Sequence, residues 1–130
     1  MNIIIVGCGQ VGQNLAERLI NDGNNVTIID KSYDNVKALT DRVDAMGIVG
    51  NGASHVTLSE AGIEEADLLI AVTNSDELNL LCCMIGKCLG ATHAIARVRN
   101  PQYLKQMNFM SKELGIDLIG NESQTVGPED

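Results

Sequence analysis

Tryptophan is absent from the 130-residue chain, and its only aromatic residues are Tyr33, Tyr103 and Phe109. So few rings exclude a stacking platform for unpaired bases, which needs several aromatic faces along one groove. Basic residues are scarce too, nine against seventeen acidic ones, for a formal net charge of -8. An acidic chain repels a phosphate backbone, so nucleic acid is excluded as a non-specific partner. Long apolar runs are missing. The best stretch, 78–96, is interrupted by Asn79, Gly86, Lys87, Gly90 and His93, short of the roughly 18 unbroken apolar residues a membrane helix needs. No direct membrane insertion is therefore expected. The start, Met1-Asn2-Ile3-Ile4, enters an apolar run without a basic region before it, which argues against an export or transit peptide. Cys8, Cys82, Cys83 and Cys88 form no C-x-x-C pair, and neither His55 nor His93 joins them at zinc-like spacing. The expectation is a cytoplasmic chain whose thiols stay reduced and serve as small core residues.

Glycine, by contrast, is plentiful, with 13 residues and no collagen-like period. That points to tight turns and close backbone approach to a ligand. From the length, one domain with one core is expected, without a second, substrate-carrying domain.

Short apolar, β-branched runs alternate with amphipathic segments along the chain. Strands are expected at 3–6, 26–29, 45–49, 67–72, 94–98 and 117–119. Helices are expected at 10–21, around Val36, Leu39 and Val43, and at 55–60, 76–89 and 102–114. This alternation specifies an α/β fold: a doubly wound, six-stranded parallel sheet (a Rossmann fold) in the order 3-2-1-4-5-6. The domain is set at residues 1–122, with 123–130 as a polar tail or the start of a linker.

Between the first strand and first helix lies Gly7-Cys8-Gly9-Gln10-Val11-Gly12, a G-x-G-x-x-G. The first glycine permits the turn, the second lets backbone approach a pyrophosphate, and the third lets helix and strand pack closely. The helix start adds free N–H groups and a positive dipole end. Asp30 closes the second strand, where a carboxylate accepts hydrogen bonds from both ribose hydroxyls and repels the 2′-phosphate of NADP. Lys31 beside it weakens that repulsion. The bland reading of these residues is a structural turn and an acid before a helix. Gly50-Asn51-Gly52 after the third strand is either an approach to adenine or a plain turn. Thr73-Asn74-Ser75 after the fourth either reaches a ligand or caps the next helix, and both roles are compatible. Arg97 and Arg99, two residues apart, share one face of the sheet. They read equally as anion contacts or as a surface pair offsetting the acid excess.

Taken together, Ile3-Ile4-Ile5-Val6-Gly7-Cys8-Gly9-Gln10-Val11-Gly12, Ile28-Ile29-Asp30, Gly50-Asn51-Gly52, the run from Ala71 through Thr73-Asn74-Ser75-Asp76-Glu77-Leu78 to Asn79, and Ile95-Ala96-Arg97-Val98-Arg99-Asn100-Pro101 resemble the RCK (KTN) domain family. The resemblance is greatest to the nucleotide-binding domain of cytosolic regulators of bacterial potassium uptake, and it covers about residues 1–122. It implies a ligand-gated regulator and no enzyme, binding NAD or NADH, or ATP and ADP as in related systems. It also implies assembly beneath an integral-membrane potassium transport subunit, and so a cytoplasmic place at the inner face of the membrane. Carried across, Gly7, Cys8, Gly9, Gln10 and Val11 cradle phosphates, with Gly12 packing the helix. Asp30 holds the ribose, and Thr73 and Asn74 line the site; Lys31, Gly50 and Asn51 are expected among the cofactor-binding residues as well. Arg97 reaches phosphates or a neighbouring subunit. Cys8 departs from the small Ala or Gly common at its place, which makes an oxidisable loop conceivable without making a sensor. No catalytic or metal-binding residue is implied.

Two other readings compete: the cofactor half of an NAD-dependent dehydrogenase, and an interaction module with a vestigial glycine loop. The first needs an acid/base, for which only His55 and His93 offer a near-neutral group; the second is disfavoured by Asp30. Assembly is expected from the residues as well. Segment 76–89 carries one apolar stripe, Leu78, Leu81, Cys82, Ile85 and Leu89, and a second, Leu80, Cys83, Met84 and Cys88. The next helix offers Tyr103, Met107, Met110 and Leu114, with Leu104 and Phe109 off that face. A helix apolar nearly all round needs cover on both sides, so a two-fold homodimer through these two helices, extendable to a larger ring, is expected.

Overall fold

The computed structural model describes residues 1–120; the expected tail at 123–130 and the last residues of the domain lie outside them. Six strands, β1 (Asn2–Val6), β2 (Asn25–Asp30), β3 (Met46–Val49), β4 (Leu68–Ala71), β5 (His93–Arg97) and β6 (Ile116–Ile119), form one sheet. Every pairing is parallel, and the order is β3-β2-β1-β4-β5-β6, as the alternation predicts. The connecting helices are α1 (Gln10–Asn21), α2 (Tyr33–Thr40), α3 (His55–Glu60), α4 (Asp76–Leu89) and α5 (Pro101–Leu114).

Alternation within the central strands divides the core into two layers. Ile3, Ile5, Ile28 and Ile70 pack with Ala16 of α1 and with Val36 and Leu39 of α2. Ile4, Val6, Ile29, Leu69 and Ala71 pack on the other side with Leu58 of α3 and with Cys82 and Cys83 of α4. Burial on both faces explains why β1 reads as an unbroken apolar run. The right-handed crossovers leave β1 and β4 adjacent but served by helices on opposite faces. A crevice opens there, at their carboxyl ends.

The helix bounds follow from local chemistry. Ser75 caps α4 by accepting from the Leu78 N–H, and Gly90, at φ 122°, ends it. At α5 the sequence expectation is one residue late: Asn100 accepts from the Gln102 N–H, which makes Pro101 the first helical residue, where its missing N–H costs nothing. α2 stops at Thr40, short of the expected Val43, because the Arg42 and Val43 N–H groups both converge on the Leu39 carbonyl and tighten the last turn. A 3-10 turn at Ile63–Glu65, unforeseen in the pattern, buries Ile63 before β4.

All four thiols are free. Cys8, Cys82 and Cys83 are core residues as expected, whereas Cys88 is exposed. α4 correspondingly has one inward face, with Cys82, Cys83 and Gly86 buried, and an outward face carrying Leu81, Met84 and Cys88. Cys82 and Cys83 thus come from different expected stripes yet turn to the same side. Of the second helix's expected face, Tyr103, Met107 and Leu114 are half-buried, while Phe109 is 74% exposed. No described helix is long and apolar enough to cross a membrane.

Candidate functional site

The crevice is a cleft of about 680 Å³ lined by the loops that follow β1, β2, β3 and β4 and by Arg97 at the end of β5. Its floor is the glycine loop. Gly7 takes φ 113°, and a Cβ there would lie 2.9 Å from the Val72 carbonyl carbon. At Gly12 a Cβ would lie 1.8 Å from the Gly7 carbonyl oxygen. The protein itself therefore demands those two glycines, one for conformation and one for helix–strand contact. Gly9 differs: its φ is -80° and a Cβ would meet nothing within 4 Å. Its bareness leaves open space over the start of α1, where no acidic residue occupies the first turn and the leading N–H groups lack intrahelical acceptors.

On one side of this loop stands Asp30. Its Oδ2 accepts the Cys8 N–H at 2.5 Å and its Oδ1 accepts the Ser32 N–H at 2.9 Å. Ser32 in turn caps α2 by accepting from the Asn35 N–H. The carboxylate is thus fixed by two backbone amides and still has lone pairs facing the cleft. Cys8 turns its side chain away, donating Sγ–H to the Asn35 carbonyl at 3.2 Å. Burial, with the Asp30 charge as a smaller cause and Arg42 opposing, pushes its thiol up to about 11. An oxidisable loop is not what this geometry provides, because the reactive thiolate is suppressed. Gln13 Nε2 donates to the Cys8 carbonyl, and Arg42 holds both Gln13 and Glu17. The Cys8 peptide is anchored from both ends.

On the other side stand Thr73, Asn74, Ser75, Leu78 and Arg97. Arg97 Nη2 donates to the Thr73 carbonyl at 2.8 Å, and Arg99 Nη2 to the Asn74 carbonyl at 2.5 Å. Burial first, and then the neighbouring Arg99, lowers the Arg97 pKa against the pull of Asp76. Its Nε is the buried side-chain nitrogen or oxygen left without a partner among the described residues. A buried donor of this kind is costly unless something in the cleft accepts from it.

Of the residues expected from sequence, Gly7, Gly9, Gln10, Val11, Asp30, Lys31, Gly50, Thr73, Asn74 and Arg97 lie on the cleft. Cys8 and Gly12 do not face it; they shape the loop from behind. Asn51 does not line it either, since its Oδ1 is engaged with the Ala53 N–H. Seven further residues line it: Val6, Ile29 and Val72 at the strand ends, Asn35 and Leu78 in helices, and Gly52 and Ser75, which belong to the two loops that the sequence offers as ligand contacts. The sequence leaves the Gly50-Asn51-Gly52 loop open between an approach to adenine and a plain turn; a Cβ on Gly52 would strike Val6 Cγ1 at 2.2 Å, so the loop lies tight over β1. The signal for Asn35 and Leu78 is position, each three residues after a serine cap and so in a helix's first turn. His55 and His93 are exposed and lie off the cleft.

Residues 3–122 match the TrkA-N domain family. The Trk system potassium uptake protein TrkA of Azorhizobium caulinodans is 43% identical over 131 aligned residues, covering 98% of this chain and 29% of that protein. The chain therefore spans less than a third of that relative's length. Among solved structures, the TrkA-N domain of inner membrane protein ybaL from Escherichia coli superposes with a TM-score of 0.79 at 23% identity, covering 94% of this chain and 88% of that one. The GsuK channel bound to NAD gives 0.75 at 19% identity, over 91% of this chain and 21% of that one. At such identities the structures speak for the fold alone; the sequence match over nearly the whole chain identifies its kinship. The chain belongs to the TrkA-N domain family.

Proposed function

We propose that this chain is the nucleotide-sensing domain of a regulator of potassium transport, with NAD or NADH as its ligand. The observation that carries the reading is the bare Gly9 over the helix start, flanked by a fixed Asp30 on one side and an unpartnered Arg97 Nε on the other. A dinucleotide matches that sequence of groups. Its pyrophosphate lies over Gly9 and the α1 N-terminus. Its adenosine ribose meets Asp30 and Lys31, its adenine the Gly50–Gly52 loop, and its second half Thr73, Asn74 and Arg97. When bound, the ligand supplies no reaction that this domain needs; it supplies a bridge between the two sides of the cleft. The titrating side chains on the cleft are Asp30, Lys31 and Arg97, none placed as an acid/base for hydride chemistry, which favours a sensor over a dehydrogenase half. Ligand identity would shift the balance between two arrangements of these loops. The kinship with potassium uptake proteins supports an output on potassium transport, which in this reading is a membrane transport subunit contacted from the cytoplasmic side. The outward apolar face of α4, with α5, serves pairing with a second copy.

Isothermal calorimetry with NADH, NAD, ATP and ADP tests the reading. Binding of NADH or NAD without turnover supports it. Preference for ATP and ADP favours the other effector class, and binding of none of the four removes the sensor altogether.

A further inference from the structure

Asn79 is the most deeply buried polar side chain among the described residues, at 0% exposure, on the face of α4 that otherwise presents Cys82, Cys83 and Gly86. It does not line the cleft. Yet all its side-chain bonds go to residues that do. Its Oδ1 accepts from the Thr73 N–H at 2.9 Å and from Thr73 Oγ1 at 2.6 Å. Its Nδ2 donates to the Thr73 carbonyl at 3.1 Å and to the Arg97 carbonyl at 2.8 Å. This orientation of the amide is the one that satisfies all four partners. Because Arg97 Nη2 also donates to the Thr73 carbonyl, Asn79, Thr73 and Arg97 close a hydrogen-bonded ring.

A fully buried amide needs every bond to offset its desolvation. Packing alone would be served by another small apolar residue, as at Cys82 and Cys83. Its partners are confined to one side of the glycine loop; Asp30 and Asn35, on the other side, are held by separate bonds. Helix α4 therefore reaches through the core to set half of the cleft and leaves the other half alone.

We infer that Asn79 is the positioning residue for the second half of a bound dinucleotide, fixing the Thr73 backbone and hydroxyl and the Arg97 end of β5. This deepens the nucleotide reading of the cleft and rests on it. A mononucleotide held through Asp30 and the α1 N-terminus does not use the ring, whereas a dinucleotide does. The same ring ties occupancy of the second half to α4, the helix whose opposite face is exposed.

Calorimetry of Asn79→Leu with NADH and with AMP separates this role from a structural one. NADH affinity is expected to fall about tenfold or more, and AMP affinity to stay within about twofold of the unmodified chain. Equal losses for both ligands, or none for either, overturn the inference. Should the variant fail to fold, the unmodified chain gives the same decision by NMR. NADH is expected to shift the Thr73 amide and the Asn79 side-chain amide, and AMP to leave them in place; equal shifts overturn the inference. Failure of the unmodified chain to bind either ligand overturns the nucleotide reading along with it, whereas binding without the split overturns the role of Asn79 alone.

Discussion

Asp30 accepts the Cys8 N–H at 2.5 Å, which joins the acid at the end of β2 to the middle of the glycine loop as one hydrogen-bonded unit. With the Ser32 N–H on its other oxygen, the carboxylate is positioned before any ligand arrives. Replacing Asp30 by Asn removes the charge and sets an NH2 group against one of two N–H donors. The fold should lose about 1–2 kcal/mol in urea denaturation. The ligand effect is more specific. NADH affinity should fall, and discrimination against NADPH should shrink, because the repelled 2′-phosphate no longer faces an anion. Fluorescence titration of both reduced cofactors measures the ratio; an unchanged ratio would place the ribose elsewhere.

The three glycines of the loop predict opposite outcomes for one kind of change. Gly12→Ala pushes a methyl into the Gly7 carbonyl at 1.8 Å and should cost about 3 kcal/mol or more, enough to endanger folding. Gly7→Ala meets both a positive φ and the backbone of Val72. Gly9→Ser meets nothing, and it places a good capping residue at the start of α1. Its melting temperature should therefore equal or exceed that of the unmodified chain while nucleotide affinity drops at least tenfold. Retention of full affinity by a stable Gly9→Ser variant would show that no ligand backbone passes there.

The parts of this site that sequence reveals are those with local causes. Ile3-Ile4-Ile5 before a glycine hexamer announces a buried strand and a phosphate loop, because both signals fit within ten residues. α4 is legible to its bounds because Ser75 and Gly90 punctuate it. Asn79 is not, since its bond to Arg97 crosses 18 residues and only the sheet order brings β5 to that spot. The Cys8 thiol is similar: nothing in the hexamer says that it turns away toward Asn35, 27 residues on. Val43 shows the converse failure. Its helical spacing is genuine, and it still packs with the α1–α2 layer of the core, but from the loop after α2.

The core thiols predict a pH dependence of stability. Burial raises Cys8 to about 11 and Cys82 to about 12 from an ordinary value near 9.0, and it raises Cys83 as well. Between these values the unfolded chain ionises its thiols while the folded chain keeps them protonated. The folded state then binds more protons, and stability falls as pH rises. The decline should set in above about pH 9 in urea titrations, and Cys82→Ala should flatten it. At pH 8, a brief iodoacetamide pulse on the native protein should label exposed Cys88 and spare the other three, read by peptide mass spectrometry. Early labelling of Cys8 would contradict its place behind the loop.

The outward face of α4 makes the last prediction. Leu81 is 47% exposed and Met84 38%, and with exposed Cys88 they follow a helical spacing that forms one stripe. Half-buried Leu78, Ile85 and Leu89 widen it. The proposed pairing with a second copy about a two-fold axis uses this stripe. Leu81→Asp should therefore convert a dimer to a monomer in sedimentation equilibrium. Its cost to the fold should stay small, within about 0.5 kcal/mol, because this side chain is already half in water. Cys82→Asp, one residue along and fully buried, should instead unfold the chain. The contrast separates a surface used for association from one used for the core. A chain that sediments as a monomer at high concentration before any substitution would rule out the pairing.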